Sequence, residues 1–509
     1  GIPDGQDLYI ECLRHTEDGR VQYAYQGQWL EARVIPEPIQ VRGGEDLVEE
    51  VIVTHHGPII NDVAADLVDE RPLALRWVSL QPDTMVEVIH DMNHARDNAA
   101  FWKAMRQWTA PYQNVVCADQ HGDIAYRLVG RVPIRAHENG LTPVPGWTGA
   151  YEWTGYVPFE ELPHLDNPPQ GYVATANNLV VDDGKHYLGY EYHLKDRVQR
   201  IQALIEEREA IDAAYAKQMQ FDQVSPMSRV VAGYVGQLAV DDAELAAVVA
   251  LFQDWDGVMA VDSAAAAVYQ VFVRRLIHLI LSGKLEALAP VYAGKGVMPV
   301  VAERHLFGDL VWLWLQNTLS DPRSHWFDLG DGQTRDDVMR LALRQAVDYL
   351  NETLGPHIED WQWGKLHQLS YRHLLGSVRP LDRVFNLGPY PVGGDHSTVC
   401  VSSTDYYDLE CDTVIGATFR FVGDVGDLSH AQAMLVPGQS GQVGSPHYAD
   451  QVAAWFEGHY HPMLYRREDV VAAAEGRLHL TPEQDFEAWL FGIVTRHRRS
   501  QEDDGAASL

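Results

Sequence analysis

The sequence predicts an α+β protein, because strand patterns occupy both ends of the chain and helical patterns occupy its middle. Near the amino end, residues 21–34 are rich in aromatic and β-branched residues, residues 50–60 hold an apolar run, and residues 73–78 alternate between apolar and polar. Helical spacing covers residues 196–208, 211–220, 242–254, 263–282 and 334–354. Strand patterns return at residues 397–402, 413–422 and 431–436. This order excludes a doubly wound βαβ fold and predicts that the two ends share sheets.

Local residue chemistry predicts the smaller elements. The turn D-Q-H-G-D at residues 119–123 separates two apolar runs and predicts a hairpin, since glycine tolerates positive φ. Residues 97–108 have helical spacing, and residues 171–176 form a short strand pattern ending at Asn177. A closing helix is expected over residues 446–456, with Ser445 as its cap.

Composition favours one large globular unit over residues 1–509, in which residues 196–355 form a mainly helical insertion and residues 500–509 a polar tail. Apolar residues make up 46% of the chain, and neither a repeat nor a clean linker interrupts it. The formal charge of −33 comes from 72 acidic and 39 basic residues. Such a surface repels nucleic acid and anionic membranes, so neither is an expected partner.

The apolar stretch at residues 264–281 contains Arg274 and Arg275, which predicts a buried core helix rather than a membrane span. The four cysteines are too scattered for a disulfide framework or a zinc site. Cys400 and Cys411 either pair across neighbouring strands or remain two free buried thiols, and the second alternative is favoured.

Two short patterns resemble functional motifs without matching them. G-Q-S-G-Q at residues 438–442 departs from the nucleophile elbow G-x-S-x-G at its last position, so Ser440 is interpreted as a loop serine. His55 and His56 could bind a metal, but adjacent residues of a strand point to opposite faces. The sequence therefore predicts that they do not share one ion.

Ten segments, in the same order, resemble the penicillin acylase family, which includes cephalosporin and acyl-homoserine-lactone acylases. Each is weak alone, but together they span nearly the whole chain. They include D-L-Y-I-E at 7–11, T-H-H-G-P at 54–58, P-Y-Q-N at 111–114, G-R-V-P at 130–133, W-T-G at 153–155, G-Y-V-A-T-A-N-N at 171–178, R-V-Q-R-I at 197–201, W-Q-W-G at 361–364 and S-P-H-Y at 445–448.

The resemblance implies a four-layer αββα sandwich of the N-terminal-nucleophile hydrolases. In that class the first residue of a self-cleaved chain attacks an amide carbonyl, and its α-amino group acts as the base. Asn177 matches the family asparagine whose amide stabilises the oxyanion. Arg197 matches an arginine that orders the site, and Asn178 is expected to support Asn177. His367 and His447 are interpreted as structural.

The nucleophile itself is not among these residues. The resemblance implies that the nucleophilic serine, and a backbone N–H of the oxyanion hole, belong to a segment preceding Gly1. A glycine has no side chain that could attack. The chain as given is therefore expected to be an N-terminally incomplete large (β) subunit that is inactive alone and pairs with a small (α) subunit from the same precursor.

The turn D-G-Q-D at residues 4–7 resembles part of the calcium site of the family. The resemblance implies a structural Ca²⁺ ion held by the carboxylates of Asp4 and Asp7 and by Gln6, since hard oxygen ligands suit calcium. Further ligands are expected from the loop before residue 143 and from an acid between Asn178 and Arg197. The candidates there are Asp182, Asp183 and Glu191.

The predicted function is hydrolysis of an amide bond in a small N-acyl compound, such as a β-lactam or an N-acyl homoserine lactone. The alternative is a non-catalytic acylase-like protein that binds acyl ligands, and a third hypothesis is a His/Asp metallohydrolase. The family resemblance implies a periplasmic or extracellular location. A serine heading the preceding segment would favour the enzyme over the binding protein.

Overall fold

The computed structural model describes residues 3–62, 71–137, 140–181, 184–189, 192–294, 309–409, 411–413 and 415–480. The strands in these ranges are β1 (Gln6–Ile10), β2 (Leu13–His15), β3 (Val21–Tyr25), β4 (Gln28–Glu31), β5 (Arg33–Ile39), β6 (Leu47–Val53), β7 (Leu73–Trp77), β8 (Gln113–Ala118), β9 (Ile124–Val129), β10 (Pro133–Arg135), β11 (Val144–Pro145), β12 (Trp153–Tyr156), β13 (His164–Asp166), β14 (Gln368–Tyr371), β15 (Leu387–Pro391), β16 (Ser402–Ser403), β17 (Ile415–Gly416), β18 (Phe419–Val422), β19 (Gln432–Leu435) and β20 (His461–Pro462). The helices are α1 (Met85–His94), α2 (Asn98–Met105), α3 (Asp196–Glu206), α4 (Ala213–Met219), α5 (Pro226–Val235), α6 (Ala243–Gln253), α7 (Ala264–Leu285), α8 (Ala289–Tyr292), α9 (Asp309–Ser320), α10 (Arg335–Leu354), α11 (Trp363–Leu366), α12 (Asp382–Phe385), α13 (Gln451–Phe456) and α14 (Arg467–Ala472).

The strands form small sheets of two or three members. Strand β1 lies between β7, to which it is antiparallel, and β11, to which it is parallel. The predicted hairpin is confirmed as the antiparallel pair β8–β9. Among the described residues, strands before α3 pair only with one another, and strands after α10 do likewise. The prediction that the two ends share sheets is therefore wrong for this part of the chain.

The largest hydrophobic core surrounds α7, which packs against α10, α6 and α5. Ser263 begins this helix by accepting a hydrogen bond from the N–H of Ala266, as expected of a capping serine. Fourteen of its 22 residues are buried, because its apolar side chains surround the axis rather than forming a stripe. The five predicted helices of this region are all present, at α3, α4, α6, α7 and α10.

By length and composition, the helical stretch 264–292 could cross a membrane, and 78% of its most apolar window is buried inside the fold. Arg274, at the centre of α7, donates hydrogen bonds to the backbone oxygen atoms of Gln270 and Asp405. Those contacts agree with the predicted core helix.

Of three further local predictions, two are wrong or only partly right and one is confirmed. Residues 171–176 are not a strand, since they make no ladder. The closing helix begins only at Gln451, so Asp450 rather than Ser445 occupies its cap position. Cys400 and Cys411 are free and buried, which confirms the favoured alternative to a disulfide. The tail at residues 500–509 lies outside the described residues.

Candidate active site

Asn177 lies in an irregular turn and has φ +66°, in the left-handed region that side chains other than glycine rarely adopt. Its neighbour Asn178 is buried, and its side chain hydrogen-bonds to backbone groups on both sides of Asn177. The Asn178 side chain accepts a hydrogen bond from the N–H of Ala176 (3.0 Å) and donates one to the carbonyl of Leu179 (3.1 Å). The N–H of His193 donates to the Asn177 carbonyl (3.1 Å). The surrounding contacts thus impose a backbone conformation that costs about 1–2 kcal/mol.

Arg197, in the first turn of α3, connects that helix to the turn. Its Nη2 atom donates to the carbonyl oxygen of Ala176 (2.9 Å) and to the side-chain Oδ1 of Asn177 (3.0 Å). The guanidinium therefore holds the acceptor end of the Asn177 amide. The donor end, Nδ2, makes no hydrogen bond to the described residues. The structure thus brings the two predicted residues into direct contact and orients an NH₂ group as an unused donor at an exposed turn.

Asp196, which the sequence analysis did not single out, joins this turn to a second polar segment. Its Oδ2 atom accepts a hydrogen bond from the Ser397 hydroxyl (3.1 Å). The neighbouring Asp395 is buried, accepts a hydrogen bond from Gln270 (3.1 Å), and has its pKa raised by burial. Asp196, Asp395 and Ser397 line one small cavity of about 10 Å³ beside the start of α3. The run of polar residues after two glycines, G-G-D-H-S-T at 393–398, was the available signal.

The predicted calcium residues surround the guanidinium of Arg135. Its Nε atom lies 3.0 and 2.9 Å from the two carboxylate oxygens of Asp7, and Nη2 lies 3.2 Å from the carbonyl oxygen of Asp4 and 3.4 Å from that of Gln6. Burial lowers the pKa of Arg135, but the contacts with Asp7 and Asp4 raise the pKa by more than burial lowers it, so the group stays charged. Trp153 Nε1 also donates to Asp7.

This donor set fits a hard cation by chemistry, because it combines two carboxylates with a backbone carbonyl. An ionised carboxylate offers about four acceptor positions, and the hydrogen bonds to Asp7 use three of them. A calcium ion here would have to share Asp7 with Arg135 or displace it. The three acids considered as further ligands, Asp182, Asp183 and Glu191, lie outside the described residues.

A second network at the other end of β1 centres on His56, which is buried between two carboxylates. Its Nδ1 atom lies 2.8 Å from Glu11 and its Nε2 atom 2.9 Å from Glu152, and its ring stacks on Tyr9 at 3.7 Å. Arg76 donates to the other oxygen of Glu152 (2.8 Å). Both ring nitrogens can donate only in the protonated imidazole, so the geometry selects the cation.

The electrostatic balance of this network follows from its contacts. Burial lowers the pKa of His56, but the hydrogen bonds to Glu11 and Glu152 raise it by more. Hydrogen bonds from His55, His56 and Arg76 hold the pKa of Glu152 far below its usual range. The sequence analysis placed His55 and His56 on opposite faces of a strand. That placement is wrong, because both side chains reach Glu152 Oε1, at 3.4 and 2.9 Å.

The error has a structural cause. Both histidines follow β6 in a tight turn closed by mutual backbone hydrogen bonds between Thr54 and Gly57, so the opposite-face rule for strands does not apply. The ligand atoms of His55, His56 and Glu152 lie within 4.8 Å of one another, close enough for one metal ion. Arg76 already pairs with Glu152, and that positive charge opposes a metal there.

The His56 contacts predict a pH-dependent stability. A histidine whose folded pKa exceeds its unfolded value of about 6.5 stabilises the fold fully below that pH and loses this contribution as pH rises through the folded pKa. We expect the difference in unfolding free energy between wild type and His56→Gln to shrink by about 1.4 kcal/mol per pH unit across that interval. Urea unfolding from pH 6 to 9 measures it, with His357→Gln as control, because His357 is exposed and its ring makes no ion pair with the described residues. A constant difference would mean a neutral imidazole.

Three other residues considered in the sequence analysis, Ser440, His367 and His447, have hydrogen-bond partners outside these networks. The hydroxyl of Ser440 accepts a hydrogen bond from the N–H of Gln442, as in a polar loop. His367 is buried, contacts Cys411 and Ser402, and has a pKa lowered to about 3 by burial. His447 is exposed and pairs with Asp450 at 2.8 Å. These contacts agree with structural roles for both histidines.

Comparison with known proteins connects this geometry to a family. The family model described as penicillin amidase matches residues 2–472. The penicillin acylase 2 proenzyme of Pseudomonas sp. (strain SE83) is 32% identical over 490 residues, covering 94% of this chain and 60% of that protein. The acyl-homoserine lactone acylase QuiP of Pseudomonas aeruginosa is 28% identical over 532 residues, with the same coverage. The chain thus spans about three fifths of the length of these relatives.

Among solved structures, a thermostable penicillin G acylase from Alcaligenes faecalis superposes with a TM-score of 0.67 at 21% identity, covering 95% of this chain and 87% of that one. This likeness confirms the predicted α+β class and the N-terminal-nucleophile hydrolase fold. The family match extends from the turn at residues 4–7 through Asn177 and Arg197 to α14. The chain therefore belongs to the penicillin amidase family.

Proposed function

We propose that this chain forms the larger part of an acylase that hydrolyses the amide bond of a small N-acyl compound. The observation that supports it most is the turn at Asn177, where Arg197 holds Oδ1 and leaves Nδ2 as a donor. A neutral amide can stabilise a developing oxyanion without exchanging a proton itself. The left-handed backbone of Asn177 is the kind of local strain that collects at functional sites.

In the proposed reaction an N-terminal serine, supplied from outside these 509 residues, attacks the amide carbonyl carbon. Its α-amino group takes the hydroxyl proton and passes it to the leaving amine as the C–N bond breaks. Water then hydrolyses the acyl ester and regenerates the serine. Asn177 donates to the carbonyl oxygen while that atom carries negative charge. Arg197 is a positioning residue in this scheme, because it acts through Asn177.

The substrate class and the partner are also proposals. The names of the relatives mention penicillin and acyl-homoserine lactone, so an N-acyl β-lactam and an N-acyl homoserine lactone are the two compounds to test first. One relative is named a proenzyme, which supports a small (α) subunit released from the same precursor. A periplasmic or extracellular location stays a prediction.

We expect the complete, processed protein to release a free carboxylic acid and a free amine from at least one of these amides. Mass spectrometry of the products measures the reaction, and sequencing the amino end of the mature large chain identifies the nucleophile. Replacing that serine by alanine should abolish turnover. A protein that binds the acyl compounds without turnover would instead be a non-catalytic acylase-like binding protein.

We also propose that a structural calcium ion binds beside Arg135 through Asp4, Gln6 and Asp7. An ion bound only to the native state raises the melting temperature by mass action. The complete protein should therefore melt at a higher temperature in calcium than in chelator, and Asp4→Asn should remove that difference. Equal melting temperatures in the two conditions, with loss of the ion verified by elemental analysis, would mean that Arg135 alone supplies the positive charge.

A further inference from the structure

The segment between β14 and β15 forms a cavity remote in sequence from Asn177. Residues 372–386 leave β14, make one turn of 3₁₀ helix and the short helix α12, and return to β15. With the adjoining strand residues, they line a half-open cavity of about 910 Å³. Its lining is mostly polar and includes three arginines, Arg372, Arg379 and Arg383.

The charge of this cavity is opposite to that of the protein as a whole. The chain carries 72 acidic and 39 basic residues, so most basic groups have acids available nearby. Among the described residues, however, Arg372, Arg379 and Arg383 make neither an ion pair within 4.0 Å nor a side-chain hydrogen bond. One carboxylate, that of Asp382, shares the lining with them. Three guanidiniums against one carboxylate leave the cavity positive.

The same segment also exposes apolar side chains to an unusual degree. Leu374 is 91% exposed, and Leu375, Val378 and Val384 are each more than half exposed. These residues are interspersed in sequence with the cavity lining, so apolar and cationic groups occur together along the 13 residues 372–384. Leu387 and Pro389 extend apolar surface into the cavity wall itself. A concentration of exposed apolar side chains on the surface of a folded protein indicates a binding surface.

We propose that this cavity binds an amphiphilic anion, namely a free carboxylate carried on an apolar chain. The guanidinium fork matches the two oxygens of a carboxylate, Leu387 and Pro389 offer the chain an apolar wall, and the exposed leucines and valines next to the lining residues in sequence can cover the rest of it. An inorganic anion would use the arginines but not the apolar residues, and an uncharged lipid would do the reverse. Nucleic acid is disfavoured by the charge of −33. The site rests on the contacts of this segment and not on the proposed hydrolysis.

The test is titration calorimetry of the complete protein with octanoate, 1-octanol, acetate and phosphate. Octanoate should bind most tightly, and its affinity should fall as salt is raised, because the arginines are exposed. The double variant Arg379→Gln/Arg383→Gln should lower the affinity for octanoate by about fivefold to tenfold. Leu374→Asn should lower the affinity for octanoate by about threefold. Arg467→Gln, an exposed arginine of α14, is the matched control and should leave the affinity unchanged.

Several results would overturn the proposal. Equal affinity for 1-octanol and octanoate would remove the role of the arginines, and equal affinity for acetate or phosphate would remove that of the apolar residues. Octanoate bound at the site of hydrolysis is recognised by its indifference to the Arg379→Gln/Arg383→Gln change, and binding of that kind alone refutes the proposal. Binding to vesicles of anionic phospholipid without binding to monomeric octanoate would identify a membrane surface instead.

Discussion

Replacing Asn177 by alanine in the complete, processed protein is expected to lower kcat by roughly 10²–10³-fold, or about 3–4 kcal/mol, the usual cost of one lost oxyanion donor. The reason is that Nδ2 of Asn177 is held as a donor by the contact of Arg197 with Oδ1. Because this donor acts on the charged intermediate, KM should change little. Steady-state kinetics with the best amide substrate measures both constants.

The backbone at Asn177 calls for a second variant. Alanine at φ +66° is strained, whereas glycine is not, so Asn177→Gly removes the donor without adding backbone strain. We expect both variants to lose kcat to the same extent, while the glycine variant melts at the higher temperature. Asn167 also has a positive φ, +45°, in the turn after β13. Asn167→Gly is therefore the matched control, and its kcat should stay at the wild-type value.

Self-processing could require the same donor, so the masses of the mature chains must be checked before the kinetics are interpreted. A folded and correctly processed Asn177→Gly protein that keeps more than about a third of wild-type kcat would contradict the assignment. Asn177 would then be only a residue that tolerates a left-handed turn. The family membership and the fold would be unaffected by that result.

Five helices in the middle of the chain were predictable because helix signals are local, whereas α5 and α9 were not predicted. Apolar spacing identifies α7 and α10 from a few turns of sequence, and the structure adds Ser263 as the cap of α7. Strand pairing depends instead on partners far apart in sequence. Strand β1 pairs with β11, more than 130 residues away, and no periodicity of β1 predicts that neighbour. Residues 171–176 have a strand composition but no partner strand in the described chain, and they form a loop.

The candidate site divides in the same way. Asn177 and Arg197 could be named from the sequence through the family resemblance, and the structure places them in contact. The role of Glu152 could not, because its pairing with His56 joins residues 96 positions apart. Arg135 was missed for a related reason. An arginine in a short strand is unremarkable until the fold places it against an acid 128 residues earlier in the chain.

Of the replacements considered, loss of the contact between Arg135 and Asp7 is expected to lower the free energy of unfolding the most. Both side chains are 5% exposed, and the Nε–H of Arg135 is shared between the two carboxylate oxygens of Asp7. Replacing Arg135 by methionine keeps most of the volume but leaves the Asp7 carboxylate buried without its cation. Removal of one partner from a buried ion pair costs about 3–5 kcal/mol. Chemical denaturation of the complete protein in chelator, where no ion can replace the guanidinium, should show a loss of this size.

The double variant Asp7→Asn/Arg135→Met separates the ion pair from packing. Asparagine keeps an acceptor for Trp153 but has no charge to compensate, so the double variant should be more stable than Arg135→Met alone. The exposed pair of Arg20 and Asp18 provides the matched control, and Arg20→Met should leave the free energy of unfolding nearly unchanged. If the losses of the two single variants simply add in the double variant, Arg135 and Asp7 are not energetically coupled. The guanidinium would then contribute through packing and its contacts with the Asp4 and Gln6 carbonyls, and the proposed competition between Arg135 and calcium for Asp7 would lose its basis.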